Sequence, residues 1–360
     1  MEVAKLDKNF SRIGKIDEKD CVFYDIKENK SFDIYGFYDV YNTDKFIRLP
    51  EDVAEKGNKY LRYFNEDTAG GRIRFKTDSK YVAIRVKMPY VKHSHQPLSG
   101  SSGFTMYLDK NGKSEYFRSF IPPVEFEEGY VDIIRFPDKK ERNITIYFPL
   151  YSHVNAIQIG LQNSASLKNG KKYRVKKPIV FYGGSHVQGA CASVPSNSTS
   201  AFVSRMLDAD FINLGFSSGA LGEQEIAEYI ANLDMSAFVC EYDHNAPTVE
   251  HLNNTHYKFL KTIVEKKPNI PIIFTSKHDY YICSFYVKTQ QENIDRRKIV
   301  IETYDRLKEE GHDNIFFIDG KTIFSGRDKF ACTVDGTHPN DLGFFRMACK
   351  FEKILKKYLW

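Results

Sequence analysis

Little in this chain points to metal, membrane or nucleic acid. Its six cysteines (Cys21, Cys191, Cys240, Cys283, Cys332 and Cys349) stand far apart, with no CxxC pair and no zinc-ligand rhythm. Neither a disulfide framework nor a zinc module can be read from them, and in a reducing compartment they are small buried apolar residues. No apolar run nears the length that spans a bilayer, and Met1-Glu2-Val3-Ala4-Lys5-Leu6-Asp7 lacks the basic and apolar regions of a signal peptide. The expectation is a cytoplasmic protein without a membrane partner. Charge of one sign is missing too. The 52 basic and 47 acidic residues leave a net charge of +5, with no basic block of the kind that tracks a phosphate backbone. The lysine-rich run at 171–177 is short and reads as a solvated linker, so no nucleic-acid partner follows. Internal repeats and low-complexity segments are absent as well.

What is present fits two domains, because 360 residues exceed what one core usually supports. From about residue 20 to 165 the chain shows short alternating runs rich in Val, Ile, Tyr and Phe, separated by turn clusters. Gly71-Arg72-Ile73-Arg74-Phe75-Lys76 and Tyr81-Val82-Ala83-Ile84-Arg85-Val86 alternate in this way. Asn111-Gly112 is a hairpin signal between residues 104–108 and 114–117, and residues 143–148 and 156–161 are two further strands. Several short, turn-bounded strands predict a jelly-roll-like β-sandwich over residues 1–170.

Beyond Asn169-Gly170 the pattern changes to short apolar runs alternating with helical stretches, the mark of a parallel α/β sheet over residues 171–360. The strands expected are 178–182, 211–214, 237–241, 271–275 and 314–318. Helices are expected from Val249 to Lys266 and at the C-terminus, where Phe344, Met347, Ala348, Phe351, Ile354, Leu355 and Tyr358 recur at spacings of three and four.

Four short segments then fall where such a sheet binds ligands, at or beyond the C-terminal ends of its strands. They are Gly183-Gly184-Ser185-His186-Val187-Gln188-Gly189, Asn213-Leu214-Gly215-Phe216-Ser217-Ser218-Gly219, Asp243-His244-Asn245-Ala246-Pro247 and Asp335-Gly336-Thr337-His338-Pro339. A strand order of 2-1-3-4-5 would bring the first three together. A serine hydroxyl needs a base to take its proton as it attacks, and His338 is the candidate, with Asp335 three residues earlier to orient it. Backbone N–H groups at Ser185 and Ser218 and the side-chain amide of Asn245 could hold an oxyanion. Each motif alone has a bland reading. Gly-Gly-Ser is a common turn, Asp335 could be a local Asx cap with His338 exposed, and Asn245 could cap the helix that starts near Thr248. All of these would have to hold at one sheet edge. His186 and His244 are expected to line the pocket. A metal site drawing on His186, His244, Asp243, Asp335 and His338 matches no known ligand spacing, so neither metal nor cofactor is expected. The aromatic runs at Tyr35-Gly36-Phe37-Tyr38 and Tyr280-Tyr281 could stack on sugars, but core packing is their commoner fate.

At these motifs the chain resembles the SGNH hydrolases, also called the GDSL-type esterases and lipases, over residues 175 to 358. The resemblance implies a flavodoxin-like three-layer α/β/α sandwich with Ser185 as nucleophile, Asp335 and His338 completing the triad, and Ser218 or Gly219 with Asn245 in the oxyanion hole. The family's Gly-Asp-Ser is Gly183-Gly184-Ser185 here, and Ser218 stands where the second block has glycine. Residues 33–41 and 68–75 look like the β-sandwich that precedes such domains in two-domain carbohydrate acetylesterases. The function expected is therefore hydrolysis of O-acyl, above all O-acetyl, esters of a small glycoside or oligosaccharide through an acyl-serine intermediate. A general acyl esterase or thioesterase, or a decayed carbohydrate-binding protein, is the alternative.

Overall fold

The computed structural model describes residues 15–110, 113–278 and 287–360. By internal contacts the chain divides into two units. One comprises residues 1–48, 66–172 and 193–196, and the other residues 49–65, 173–192 and 197–360. Among the described residues no helix is long and apolar enough to cross a membrane.

The first unit is built from β1 (Cys21–Asp25), β2 (Asp33–Tyr35), β3 (Arg72–Thr77), β4 (Tyr81–Lys87), β5 (Phe104–Lys110), β6 (Lys113–Phe120), β7 (Gly129–Arg135), β8 (Arg142–Tyr147), β9 (Ala156–Gln162) and β10 (Leu167–Asn169). They form two antiparallel sheets, ordered β1-β9-β4-β7 and β10-β3-β8-β5-β6, with β2 added on β3. A single core draws on both, with Ile84, Val86, Ile157 and Ile159 from one and Ile73, Phe75, Met106, Ile144 and Ile146 from the other. This is a sandwich, and its period-two alternation is the one the sequence shows. The two arginines that alternate with the core of β3 are themselves buried, so each needs a partner. Arg74 pairs with Asp109 at 2.6 Å and Thr145 at 3.1 Å, and Arg72 donates to the Gly70 carbonyl at 2.7 Å. The strands β5 and β6 pair as a hairpin down to Lys110 and Lys113; the Asn111-Gly112 turn lies outside the described residues.

In the second unit, β11 (Val175–Gly183), β12 (Ala209–Gly215), β13 (Ala237–Glu241), β14 (Ile272–Thr275) and β15 (Ile315–Ile318) form a parallel sheet of order β12-β11-β13-β14-β15. This is the 2-1-3-4-5 order that the motifs require. Helices α1 (Glu51–Lys56) and α2 (Lys59–Asn65) come from the segment between β2 and β3. They are followed by α3 (Ser185–Gln188), α4 (Thr199–Leu207), α5 (Gln224–Asn232), α6 (Val249–Lys266), α7 (Val287–Glu309) and α8 (Asp341–Leu359). Helices α5, α6 and α7 pack in succession, burying Ile226, Ile230, Phe259, Ile263 and Val300 with Val180, Tyr182, Phe238 and Phe274 of the sheet. Leu49, Ala54 and Leu61 join that same core. On the other face α8 pairs with α4, and its Tyr358 ring lies 5.3 Å from Phe316 of β15. The result is the three-layer α/β/α arrangement, with its loops free to build a site at the C-terminal strand edge.

Candidate active site

Ser185 opens α3, a single helical turn entered directly from the end of β11. The neighbouring strand β12 and the loop after it tie this turn down at three points. Phe216 N–H donates to the Gly183 carbonyl at 2.8 Å, Asn213 Nδ2 to the Val187 carbonyl at 2.7 Å, and Ser217 N–H to Gln188 Oε1 at 2.9 Å. The approach is close enough that a Cβ on Gly215 would lie 2.1 Å from the Gln188 nitrogen. Ser185 is 8% exposed, so its side chain is largely enclosed at the start of this turn.

The loop after β15 presents the candidate base. Gly336 takes a positive φ of +88°, which turns the chain back on Asp335. One carboxylate oxygen, Oδ1, then accepts from the backbone N–H groups of Thr337 (3.0 Å) and His338 (2.7 Å). The other, Oδ2, faces His338 Nδ1 at 2.7 Å. Partial burial raises the Asp335 carboxyl, but these hydrogen bonds from His338 and Thr337 outweigh it and hold the group at about 2. An ionised Asp335 requires the proton on His338 Nδ1, which leaves a lone pair on Nε2. The His338 ring centroid is 5.7 Å from that of His186, the residue next to Ser185. Cys191 Sγ lies within 4.8 Å of a His338 ring nitrogen, yet burial, with the Asp335 charge, pushes its thiol up to about 12. It is a neutral thiol and no rival to the serine.

Backbone bonding discriminates among the candidate oxyanion donors of the loop 215–219. Gly215 N–H donates to Asn213 Oδ1, Phe216 N–H to Gly183 and Gly219 N–H to Phe216, and Ser217 N–H to Gln188. The Ser218 N–H makes no hydrogen bond among the described residues. Ser218 is exposed and held in the left-handed region at φ +57°. Asn245 is not the cap of α6; Thr248 fills that place, its hydroxyl accepting from His251 N–H at 3.0 Å. Instead Asn245 Nδ2 donates one proton to the Phe216 carbonyl at 3.0 Å, and the amide's second N–H remains for a ligand.

Beside the turn that begins with Ser185 lies a buried cluster that includes two residues the sequence did not single out. Glu241, the last residue of β13, accepts at one oxygen, Oε1, from both His244 Nδ1 (2.9 Å) and His186 Nδ1 (3.3 Å). His278 packs its ring 4.6 Å from each of the other two. Burial, reinforced by the neighbouring imidazoles, drives His186 down to about 4. Burial would raise Glu241, but its contacts with the two imidazoles keep it below the ordinary carboxylate range. His186 and His244 thus face this cluster. Asp243 is drawn elsewhere. Arg296 donates to its carbonyl at 2.8 Å and its carboxylate at 3.3 Å, and Lys277 N–H adds a bond at 2.9 Å. The only sequence sign of Glu241 is a charge closing an apolar run, and Tyr280-Tyr281 lie outside the described residues.

Residues 176–356 match the model of the GDSL-like lipase/acylhydrolase family, and residues 21–167 match that of the N-terminus of SGNH-hydrolase-type esterases. A solved structure described as a GDSL-like lipase, from Bacteroides ovatus, is similar at 25% identity and a TM-score of 0.84, over 94% of this chain and 98% of that one. A salicylyl-acyltransferase from a tetracycline biosynthetic pathway shares the fold at 17% identity and a TM-score of 0.75, with the same coverage. A family two carbohydrate esterase from Cellvibrio japonicus does so at 12% and 0.59, again over 94% and 98%. No curated protein matches the chain.

Proposed function

The chain belongs to the GDSL-like lipase/acylhydrolase family, and we propose that it is a serine ester hydrolase that removes O-acyl, chiefly O-acetyl, groups from carbohydrates. The observation that carries the reading is the 2.7 Å bond between Asp335 and His338, on a loop whose imidazole reaches the turn that begins with Ser185. His338 Nε2 takes the Ser185 proton as Oγ attacks the ester carbonyl, and Asp335 stabilises the imidazolium that forms. Charge moves to the carbonyl oxygen, which Ser185 N–H, Ser218 N–H and the Asn245 amide hold; one such donor is worth about 3 kcal/mol in the transition state. Collapse of this intermediate breaks the bond to the sugar oxygen, which leaves with the proton from His338. Water, deprotonated by His338, then releases the acid and restores the serine.

The choice of a sugar ester is supported by the architecture shared with the Cellvibrio japonicus carbohydrate esterase across nearly the whole chain. The test is acetate release from 4-nitrophenyl acetate and from a panel of acetylated oligosaccharides, with Ser185→Ala and His338→Ala alongside. Loss of about four to six orders of magnitude in kcat is expected in both variants. A wild type that releases nothing, or an active Ser185→Ala, would overturn the triad. Turnover of 4-nitrophenyl acetate but of no acetylated sugar would leave a general acyl esterase. Tight binding of an acetylated glycan without turnover would point to the carbohydrate-binding alternative.

A further inference from the structure

We propose that His186, Glu241, His244 and His278 form a closed, four-coordinate site for a divalent transition-metal ion of the zinc class, seated behind the nucleophile's turn. Nothing in the serine mechanism uses these four side chains, and the inference stands or falls independently of it.

The donor set is the first support. Three imidazoles and one carboxylate are what zinc takes in proteins, and a set of four protein ligands with no open position marks a structural rather than a hydrolytic site. Geometry is the second. One ligand atom from each residue can be chosen so that all four lie within 4.8 Å of one another. Bonds near 2.0–2.1 Å give a tetrahedral site ligand-to-ligand edges of about 3.3 Å and imidazole centroids roughly 5 Å apart. The hydrogen bonds from His186 Nδ1 and His244 Nδ1 to Glu241 Oε1, at 3.3 and 2.9 Å, already gather both imidazoles about the carboxylate, and the three ring separations are 4.0, 4.6 and 4.6 Å. Expansion by less than about 1 Å would admit the ion.

Unsatisfied lone pairs are the third support. His186 and Glu241 are each 1% exposed, and neither His186 Nε2 nor Glu241 Oε2 has a hydrogen-bond partner among the described residues. A buried carboxylate oxygen and a buried imidazole lone pair left unmet are costly, and a cation that takes either one as its ligand atom removes that cost. The ligands' origins show what it would do. His186 follows β11, Glu241 ends β13, and His278 follows β14, three strands adjacent in the sheet. A metal here would staple three strand ends and fix the residue next to Ser185, holding the nucleophile's turn in place.

The experiment uses the full, tag-free chain, stripped by chelator, incubated with Zn2+ or Co2+ alone, desalted and analysed for metal by mass spectrometry. About one ion per chain should be retained, the cobalt form should show the intense visible absorption of four-coordinate cobalt, and either ion should raise the unfolding midpoint. Ser185→Ala, without esterase activity, should keep all three properties. The double variant His244→Ala, His278→Ala should lose them. Should that variant fail to fold, Glu241→Gln, which keeps the shape but not the charge, should lose the intense cobalt band. Wild type that retains neither ion and shows no midpoint shift, a faint six-coordinate cobalt spectrum, or equal retention by the ligand variants would overturn the site.

Discussion

Asn245 fills the space that a side chain at position 184 would need. A Cβ on Gly184 would lie 2.1 Å from Asn245 Oδ1, 2.5 Å from its Cγ and 2.8 Å from its Nδ2. A side chain at position 184 and the Asn245 amide therefore compete for one volume. A glycine at 184 leaves that volume to Asn245.

Gly184→Ala should displace the amide without unfolding the protein, since the end of a half-buried side chain can move. The expected loss in kcat is about 10²- to 10³-fold, the same as for Asn245→Ala. The double variant should be no worse than Asn245→Ala alone, because residues that contact one another are not additive. Steady-state kinetics on 4-nitrophenyl acetate decide it, and multiplicative losses would show that the two positions act separately.

In the proposed oxyanion hole Ser218 would contribute its backbone N–H, not its hydroxyl. Ser218→Gly keeps that donor and removes the strain of a side chain at φ +57°. It should leave kcat unchanged and raise stability by roughly 1 kcal/mol, the usual penalty of a non-glycine residue in the left-handed region. A large fall in kcat would show that the hydroxyl itself takes part.

Asn58 fastens α2 to the loop that carries Ser218. Its Oδ1 accepts from Tyr60 and Leu61 N–H at 3.0 and 3.2 Å, and its Nδ2 donates to the Gly219 carbonyl and Glu223, both at 2.8 Å. Asn58→Ala removes a helix cap and leaves half-buried acceptors unmet. A loss of about 2–3 kcal/mol is expected, from roughly 1 for the cap and the remainder for the unmet groups. Urea unfolding reads the stability, and a fall in kcat should accompany it as the loop loosens.

His256 makes the fold sensitive to acid. It is buried on α6, with Nδ1 2.9 Å from Thr303 Oγ1, and burial pushes it from the ordinary 6.5 down to about 3. The unfolded chain then binds a proton that the folded chain refuses. The stabilisation from a neutral His256 is full above pH 6.5 and is lost as pH falls from there toward 3, by up to about 1.4 kcal/mol per pH unit. Urea midpoints between pH 7 and 4.5 should show a shallower decline in His256→Gln than in wild type.

The local sequence determined most of the scaffold, because hydrophobic period is a property of neighbouring residues. The alternation at residues 72–77 and 81–87 gave strands, the three-four spacing from Phe344 to Tyr358 gave the C-terminal helix, and the apolar runs gave the five parallel strands with their motifs at the ends. Asp335 and His338, three residues apart, carried their own hydrogen-bond geometry. Other features depended on which segments the sheet order brings side by side. Glu241 reads as the end of an apolar strand until β11 and β14 place His186 and His278 beside it. That the unbonded N–H of this loop belongs to Ser218 and not to Gly219 becomes visible only when each N–H is assigned its acceptor. The addition of residues 49–65 to the core of the second unit has no local signal either. These contacts join residues tens to hundreds of positions apart, and no periodicity reaches that far; only the pairing of strands and the burial of a common core set them.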